Sequence, residues 1–126
     1  MEFTPDGKKL VVTIKDGPAA GFVPDFAPTG PGRVLVWDVD AAGMPSADYA
    51  QTDFANRGPF GFSFAKAGHL LIGEFIGGGL ETIDGVETLA GAAGSYAIEA
   101  DGRLTAISPG VSNHQIDTCW VVNNGA

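Results

Sequence analysis

Phe3-Thr4-Pro5-Asp6-Gly7-Lys8-Lys9-Leu10-Val11-Val12-Thr13 reads as a turn feeding a strand. Pro5 presets φ for a turn, and Asp6-Gly7 supplies residues that tolerate positive φ. The Lys9–Lys15 run that follows is rich in β-branched and aliphatic residues, as a strand requires. The opening residues carry neither a basic segment nor an apolar one, so they do not read as a signal peptide, and the expected location is the cytoplasm. A turn with nothing before it predicts that Lys9–Lys15 lacks an inner neighbour of its own.

Similar turn chemistry recurs along the chain. Phe64-Ala65-Lys66-Ala67-Gly68 stands before Leu71-Ile72 as Phe3 to Gly7 stands before Leu10-Val11, with the glycines 61 residues apart. Val36-Trp37-Asp38-Val39-Asp40 with Gly43 matches Ser95-Tyr96-Ala97-Ile98-Glu99 with Gly102, 59 residues apart. Phe60-Gly61-Phe62-Ser63 matches Thr118-Cys119-Trp120-Val121 at an offset of 58. Three matches near one period mark a repeat architecture, and a period of short strands without a helix favours a β-propeller over helical arrays. A sandwich is the alternative, but it needs no repeat of turn chemistry.

The remaining strands are Arg33–Asp40, Ala47–Phe54, Phe60–Ala65, His69–Phe75, Ser95–Glu99, Leu104–Ser108 and Cys119–Asn123. Asp101-Gly102 is the strongest hairpin signal. Breaker-rich stretches at 16–32 and 77–94 read as loops, the second with at most one helical turn. With the strands of each blade labelled A to D from the central axis outward, the order along the chain is B-C-D, A-B-C-D, A. This describes an all-β partial propeller of about two four-stranded antiparallel blades, one at about 9–54 and one at about 60–108, with an orphan inner strand at 119–123. Unpaired edges invite another chain. Cys119–Asn123 is therefore expected to serve the Lys9 sheet of a neighbouring copy in a homo-oligomeric ring, with three copies giving six blades.

Composition sets the function classes. The 126 residues carry 7 Lys+Arg against 15 Asp+Glu, a net charge of −8, which argues against nucleic acid and anionic membrane as partners. No stretch reaches the roughly 20 apolar residues of a membrane span. The single Cys119 makes no internal disulfide. Two histidines and one cysteine lie too far apart for a zinc site, and carboxylates at 38, 40, 99 and 101 fit no calcium loop. Gly77-Gly78-Gly79 lacks the Lys-Ser/Thr of a phosphate loop, and no Gly-x-Ser-x-Gly elbow is present. No metal and no cofactor are expected. Trp37, Tyr96, Phe62, Phe64 and Trp120 read as core between packed sheets.

Phe3-Thr4-Pro5-Asp6-Gly7-Lys8-Lys9-Leu10-Val11-Val12-Thr13 resembles the "PDGK-x-LYVTN" hairpin of the YVTN and lactonase-family β-propellers, a family that includes 6-phosphogluconolactonase and carboxymuconate lactonising enzymes. Gly94-Ser95-Tyr96-Ala97-Ile98-Glu99-Ala100-Asp101-Gly102-Arg103-Leu104-Thr105 resembles the "I-x-x-Y-x-I-x-x-DG-x-LT" blade segment of the same proteins. The resemblance implies a propeller of seven blades of about 50 residues, of which this chain holds about two. It also implies a His-Pro-His pattern in the stretch leading into an inner strand. Here that stretch holds His114 and Asp117 without the pattern, and Asn56-Arg57-Gly58-Pro59-Phe60 lacks it as well.

Arg57 and His114 occupy matching positions one repeat apart and are expected to line one mouth, where Arg57 offers a bidentate fork to a carboxylate. Asp117 or Glu74 would act as base for water in a lactonase-like hydrolysis of a small acidic lactone. Glu74 interrupts an apolar strand and is read as lying on a solvated face. His69, at a strand start, reads as a surface residue. Two functions follow: a ring-forming binding or scaffold module without catalysis, and a lactonase-like hydrolase. The missing histidine pattern and the long loops favour the first.

Overall fold

The structure is a computed structural model and describes residues 1–15, 31–55, 57–65 and 67–124. The expected loop at 16–32 lies outside the described residues except for its last two positions. The described residues form β1 (Glu2–Phe3), β2 (Lys9–Ile14), β3 (Gly32–Val39), β4 (Pro45–Phe54), β5 (Pro59–Phe64), β6 (Leu70–Ile83), β7 (Val86–Ile98) and β8 (Leu104–Ser112). No helix occurs among them. They make two four-stranded antiparallel sheets, ordered β1-β2-β3-β4 and β5-β6-β7-β8, and neither sheet closes on itself.

Four hairpins share one turn. The N–H of Gly7 bonds the carbonyl of Thr4, and the same bond joins Gly43 to Asp40, Gly68 to Ala65 and Gly102 to Glu99, each at 2.8–3.0 Å. The four glycines sit at φ of 70°, 82°, 78° and 86°. A type I turn closed by a left-handed residue matches the twist of a hairpin, and glycine takes that conformation without strain. The repeat seen in the sequence is thus a repeat of local structure.

One residue in these turns decides how the sheets stack. The N–H of Thr4 bonds the carbonyl of Lys9, whereas the N–H of Ala65 bonds the carbonyl of His69, so the first turn is one residue longer. The register follows: Phe3 pairs with Leu10, and Phe64 with Leu70. Past the turn the offset is 60, and the counterpart of Val11 is Leu71, not Ile72. A one-residue shift moves a strand's side chains to the other face. Val11, Val34 and Val36 of the first sheet join Leu70, Ile72 and Tyr96 of the second in one buried core with Phe54. The turns at Gly43 and Gly102 make Ser95 the counterpart of Val36 and Tyr96 that of Trp37. The first sheet therefore covers one face and the second sheet covers the opposite face. The contact is head-to-tail: non-equivalent faces of the two sheets meet.

Hydrogen bonds tie the same contact: Thr13 Oγ1 donates to Phe60 O at 2.6 Å, Leu104 N to Thr52 Oγ1 at 3.0 Å, and Lys9 Nζ to Ala100 O at 3.0 Å. Phe62 and Phe64 pack against the core from the inner strand.

Four expectations change. Lys9–Ile14 does have an inner neighbour, the two-residue β1, because Glu2 and Phe3 pair with Val11 and Leu10. The 77–94 stretch is not a loop: β6 and β7 run on as a ladder to Ile83 and Val86, around Asp84-Gly85 at φ of 52° and 82°. Consecutive positive φ values are those of a type I′ hairpin turn. Cys119–Asn123 is not a strand. It lies along β5 of its own chain, with Cys119 O accepting from Gly61 N at 2.8 Å and Asn123 Nδ2 donating to Ser63 Oγ at 2.9 Å and Phe64 O at 2.8 Å. Trp120, expected in a core, is 75% exposed; it lies against Gly61 and meets the edge of Phe60, at 5.7 Å between ring centroids.

Candidate functional site

Glu74 is the largest departure from the expected site. Leu70, Ile72, Glu74 and Ile76 alternate onto one face of β6, and that face is the core, so Glu74 is 0% exposed rather than solvated. A buried carboxylate needs partners. Tyr96, on the neighbouring strand β7, donates its hydroxyl to Glu74 Oε1 at 2.5 Å. Arg57 Nη1 donates to Tyr96 Oη at 3.0 Å and stands 3.5 Å from Glu74 Oε1. Glu74 Oε2 is buried and takes no hydrogen bond among the described residues.

Local sequence makes room for this cluster. A Cβ on Gly94 would stand 2.6 Å from Glu74 Oε1 and 2.7 Å from Tyr96 Oη, and one on Gly77 would collide with Glu74 Oε2. The ladder of β6 and β7 is irregular between Glu74 and Gly79, which turns the strand around the carboxylate. Arg57 comes from the link between the sheets. That link is pinned to β6 by Gly58 N to Ile76 O at 3.2 Å and Phe75 N to Gly58 O at 2.7 Å. Arg57 also lies over the Phe54 ring, 5.5 Å from its centroid, and Phe54 packs against Tyr96 at 5.1 Å. The trio therefore joins the first sheet, the link and the second sheet at one point.

Burial, and then the Glu74 carboxylate beside it, push the Tyr96 phenol far above its ordinary 10.0. Tyr96 stays a neutral donor, fixed between a cation and an anion. The arrangement holds Arg57 in one orientation with its side chain 29% exposed at the end of the sheets. Glu74 itself does not reach solvent.

His114 and Asp117 lie elsewhere on the same end. Both are exposed, at φ of 56° and 59°. His114 Nδ1 is 2.9 Å from Glu81 Oε2, so its partner is the β6–β7 arm and not Arg57 or Asp117. The Ser112 hydroxyl first, and then His114, hold the Glu81 carboxyl below its ordinary 4.5. Gln115 O accepts from Gly91 N at 2.7 Å, which docks the 113–118 segment onto β7. The structure brings Arg57 and Glu74 together and leaves His114 and Asp117 apart. It adds Tyr96, which the sequence reading had placed only in the core. His69 is exposed, as expected. No group of three metal-ligating side chains occurs among the described residues, and no helix there is long and apolar enough to cross a membrane.

No protein-family model matches the chain, and no curated protein or solved structure shows significant similarity to it.

Proposed function

We propose that this chain is a two-blade β-propeller unit that works as a binding scaffold, with further blades completing a ring. Its ligand surface is the end that carries Arg57, the β6–β7 arm and the 113–118 segment. The observation that carries this reading is the head-to-tail stacking of two sheets built on the same turns. Such a contact repeats indefinitely and closes where the rotation permits. A sandwich of two sheets would instead bury equivalent faces against each other.

The chemistry of that end supports binding over catalysis. Arg57 is a fixed cation, partly open to solvent, whose fork suits a carboxylate. The carboxylate best placed to assist hydrolysis, Glu74, is sealed behind Tyr96. The test is lactone hydrolysis by the wild type, Arg57→Ala and His114→Ala, beside titration with small carboxylates followed by NMR. The expected result is no turnover above background, with carboxylate shifts at Arg57 that Arg57→Ala removes. Turnover that both substitutions abolish would establish the lactonase-like reading instead.

A further inference from the structure

We propose that the outward faces of the two sheets are the two halves of one interface, and that the partner they fit is a second copy of this chain. The inference rests on the blade reading above and adds the identity of the neighbour. Leu71, Ala93 and Ser95 of the second sheet are the counterparts of Val11, Val34 and Val36, yet they face away from the first sheet and are only half-buried. Leu10 and Trp37 of the first sheet are the counterparts of Leu70 and Tyr96, face away in turn and are half-buried, while Leu35 between them is already buried within the chain. Docking the outer face of one copy's first sheet onto the outer face of another copy's second sheet repeats the contact already present inside the chain.

Side-chain volumes favour this occupant. At the internal contact two valines, Val34 and Val36, face the side that holds Gly94 and Tyr96. At the external contact Val34 and Val36 are replaced by the smaller Ala93 and Ser95 beside Leu71, and Tyr96 is replaced by the larger Trp37. Lost bulk on one face is matched by gained bulk on the other, which close packing demands of complementary surfaces.

The segment at 118–123 gives a second, independent pointer. Trp120 and Val122 align with Phe62 and Phe64 of the inner strand β5, which pack partly into the internal core. Trp120 is 75% exposed and Val122 88%, and Val121 between them lines a groove with Leu71, Ala93 and Val111. The segment is held against β5 by Gly61 N to Cys119 O at 2.8 Å, with Trp120 and Val122 turned outward. On the acceptor side β1 reaches only Val11 and Leu10, whereas β5 runs along β6 as far as Glu74. Thr118–Trp120 of one copy extends the inner edge of β2 in the next, where β1 stops. With three copies the ring holds six blades.

The experiment is size-exclusion chromatography with light scattering on the full chain, on Tyr49→Arg and on Val111→Arg. Tyr49 stacks on Trp37, on the outer face of the first sheet, and is 53% exposed; Val111 lies on the outer face of the second sheet and is 56% exposed. The wild type is expected at three times 12.9 kDa. Each variant alone is expected at 12.9 kDa, and an equimolar mixture at twice that mass, because each contributes one intact half. Val121→Arg, in the same groove, is expected to behave as Val111→Arg, and circular dichroism confirms that each variant is folded. A monomeric wild type, a mixture that stays monomeric, or single variants that still self-associate would overturn the inference. Those outcomes concern the neighbour alone: carboxylate binding at Arg57 is read on monomer or ring alike and tests the scaffold reading separately.

Discussion

Removing the Arg57 side chain leaves Glu74 buried with Tyr96 as its only polar partner among the described residues. Taking one member from a buried ion pair costs about 3–5 kcal/mol, because the remaining charge keeps its desolvation penalty. Arg57 is 29% exposed, so solvent already screens its side of the pair, and the lower figure applies. Arg57→Ala is therefore expected to lose about 3 kcal/mol, which at a slope of about 2 kcal/mol/M lowers the urea midpoint by about 1.5 M. The assay is urea unfolding followed by the fluorescence of Trp37 and Trp120. Glu74→Gln keeps the size and removes the charge, so it should recover much of the loss in the Arg57→Ala background. The resulting double-mutant cycle should show coupling of about 2 kcal/mol. An Arg57→Ala loss below about 0.5 kcal/mol, the range of ordinary surface substitutions, with no coupling to Glu74→Gln, would refute the view that this pair clamps the sheets.

Three further outcomes follow from the same geometry. Gly94→Ala should cost about 2 kcal/mol, since its Cβ would press on both Glu74 and Tyr96 and neither can retreat; a thermal midpoint unchanged within about 1 °C would contradict this. The Tyr96 phenol has a folded pKa above the unfolded 10.0, so its contribution is full below that pH and is lost as pH climbs from there toward the folded value. Absorbance titration should show the Tyr96 phenolate only on alkaline unfolding, and Tyr96→Phe should flatten the alkaline loss of stability. Glu81 shows the opposite sign: its folded pKa lies below 4.5, so its contribution is full above that value and is lost as pH falls through the folded pKa. Amide exchange in 113–118 should quicken on acidification below 4.5, and Glu81→Gln should remove that pH dependence.

Much of the fold was legible because turn chemistry is local. The Thr4–Gly7, Asp40–Gly43, Ala65–Gly68 and Glu99–Gly102 turns carry their own signal, and the strands between them follow. The β6–β7 arm was hidden because Gly77, Gly78, Gly79, Gly91 and Gly94 count as breakers in a sequence. In the fold Gly91 and Gly94 are buried, where Thr118 and the Glu74–Tyr96 pair leave no space for a Cβ. Asp84-Gly85 was the available cue, a two-residue turn between β-forming residues. Glu74 was legible in principle: it keeps the period of two with Leu70, Ile72 and Ile76, which assigns it to the core face. A charge at a core position outweighed that period in the reading, although the buried charge is what a clamp requires. Tyr96 was placed correctly in the core, but its role as the bridge depends on Arg57, 39 residues away in sequence. No local pattern encodes that meeting. The offset change from 61 to 60 was missed for a simpler reason: Leu10-Val11 and Leu71-Ile72 look like the better match, and only the hydrogen bonds of Thr4 and Ala65 reveal the extra residue.

The face assignment of Leu71 is the most direct test of the whole account. Methyl NOE spectroscopy on the monomeric Val111→Arg variant should connect Val11 with Leu70 and Ile72 in the shared core, and Leu71 with Val121 on the outer side. Contacts from Leu71 to Val11 and Val36, with Ile72 turned toward Val121, would mean that equivalent faces meet, and the head-to-tail repeat would be wrong.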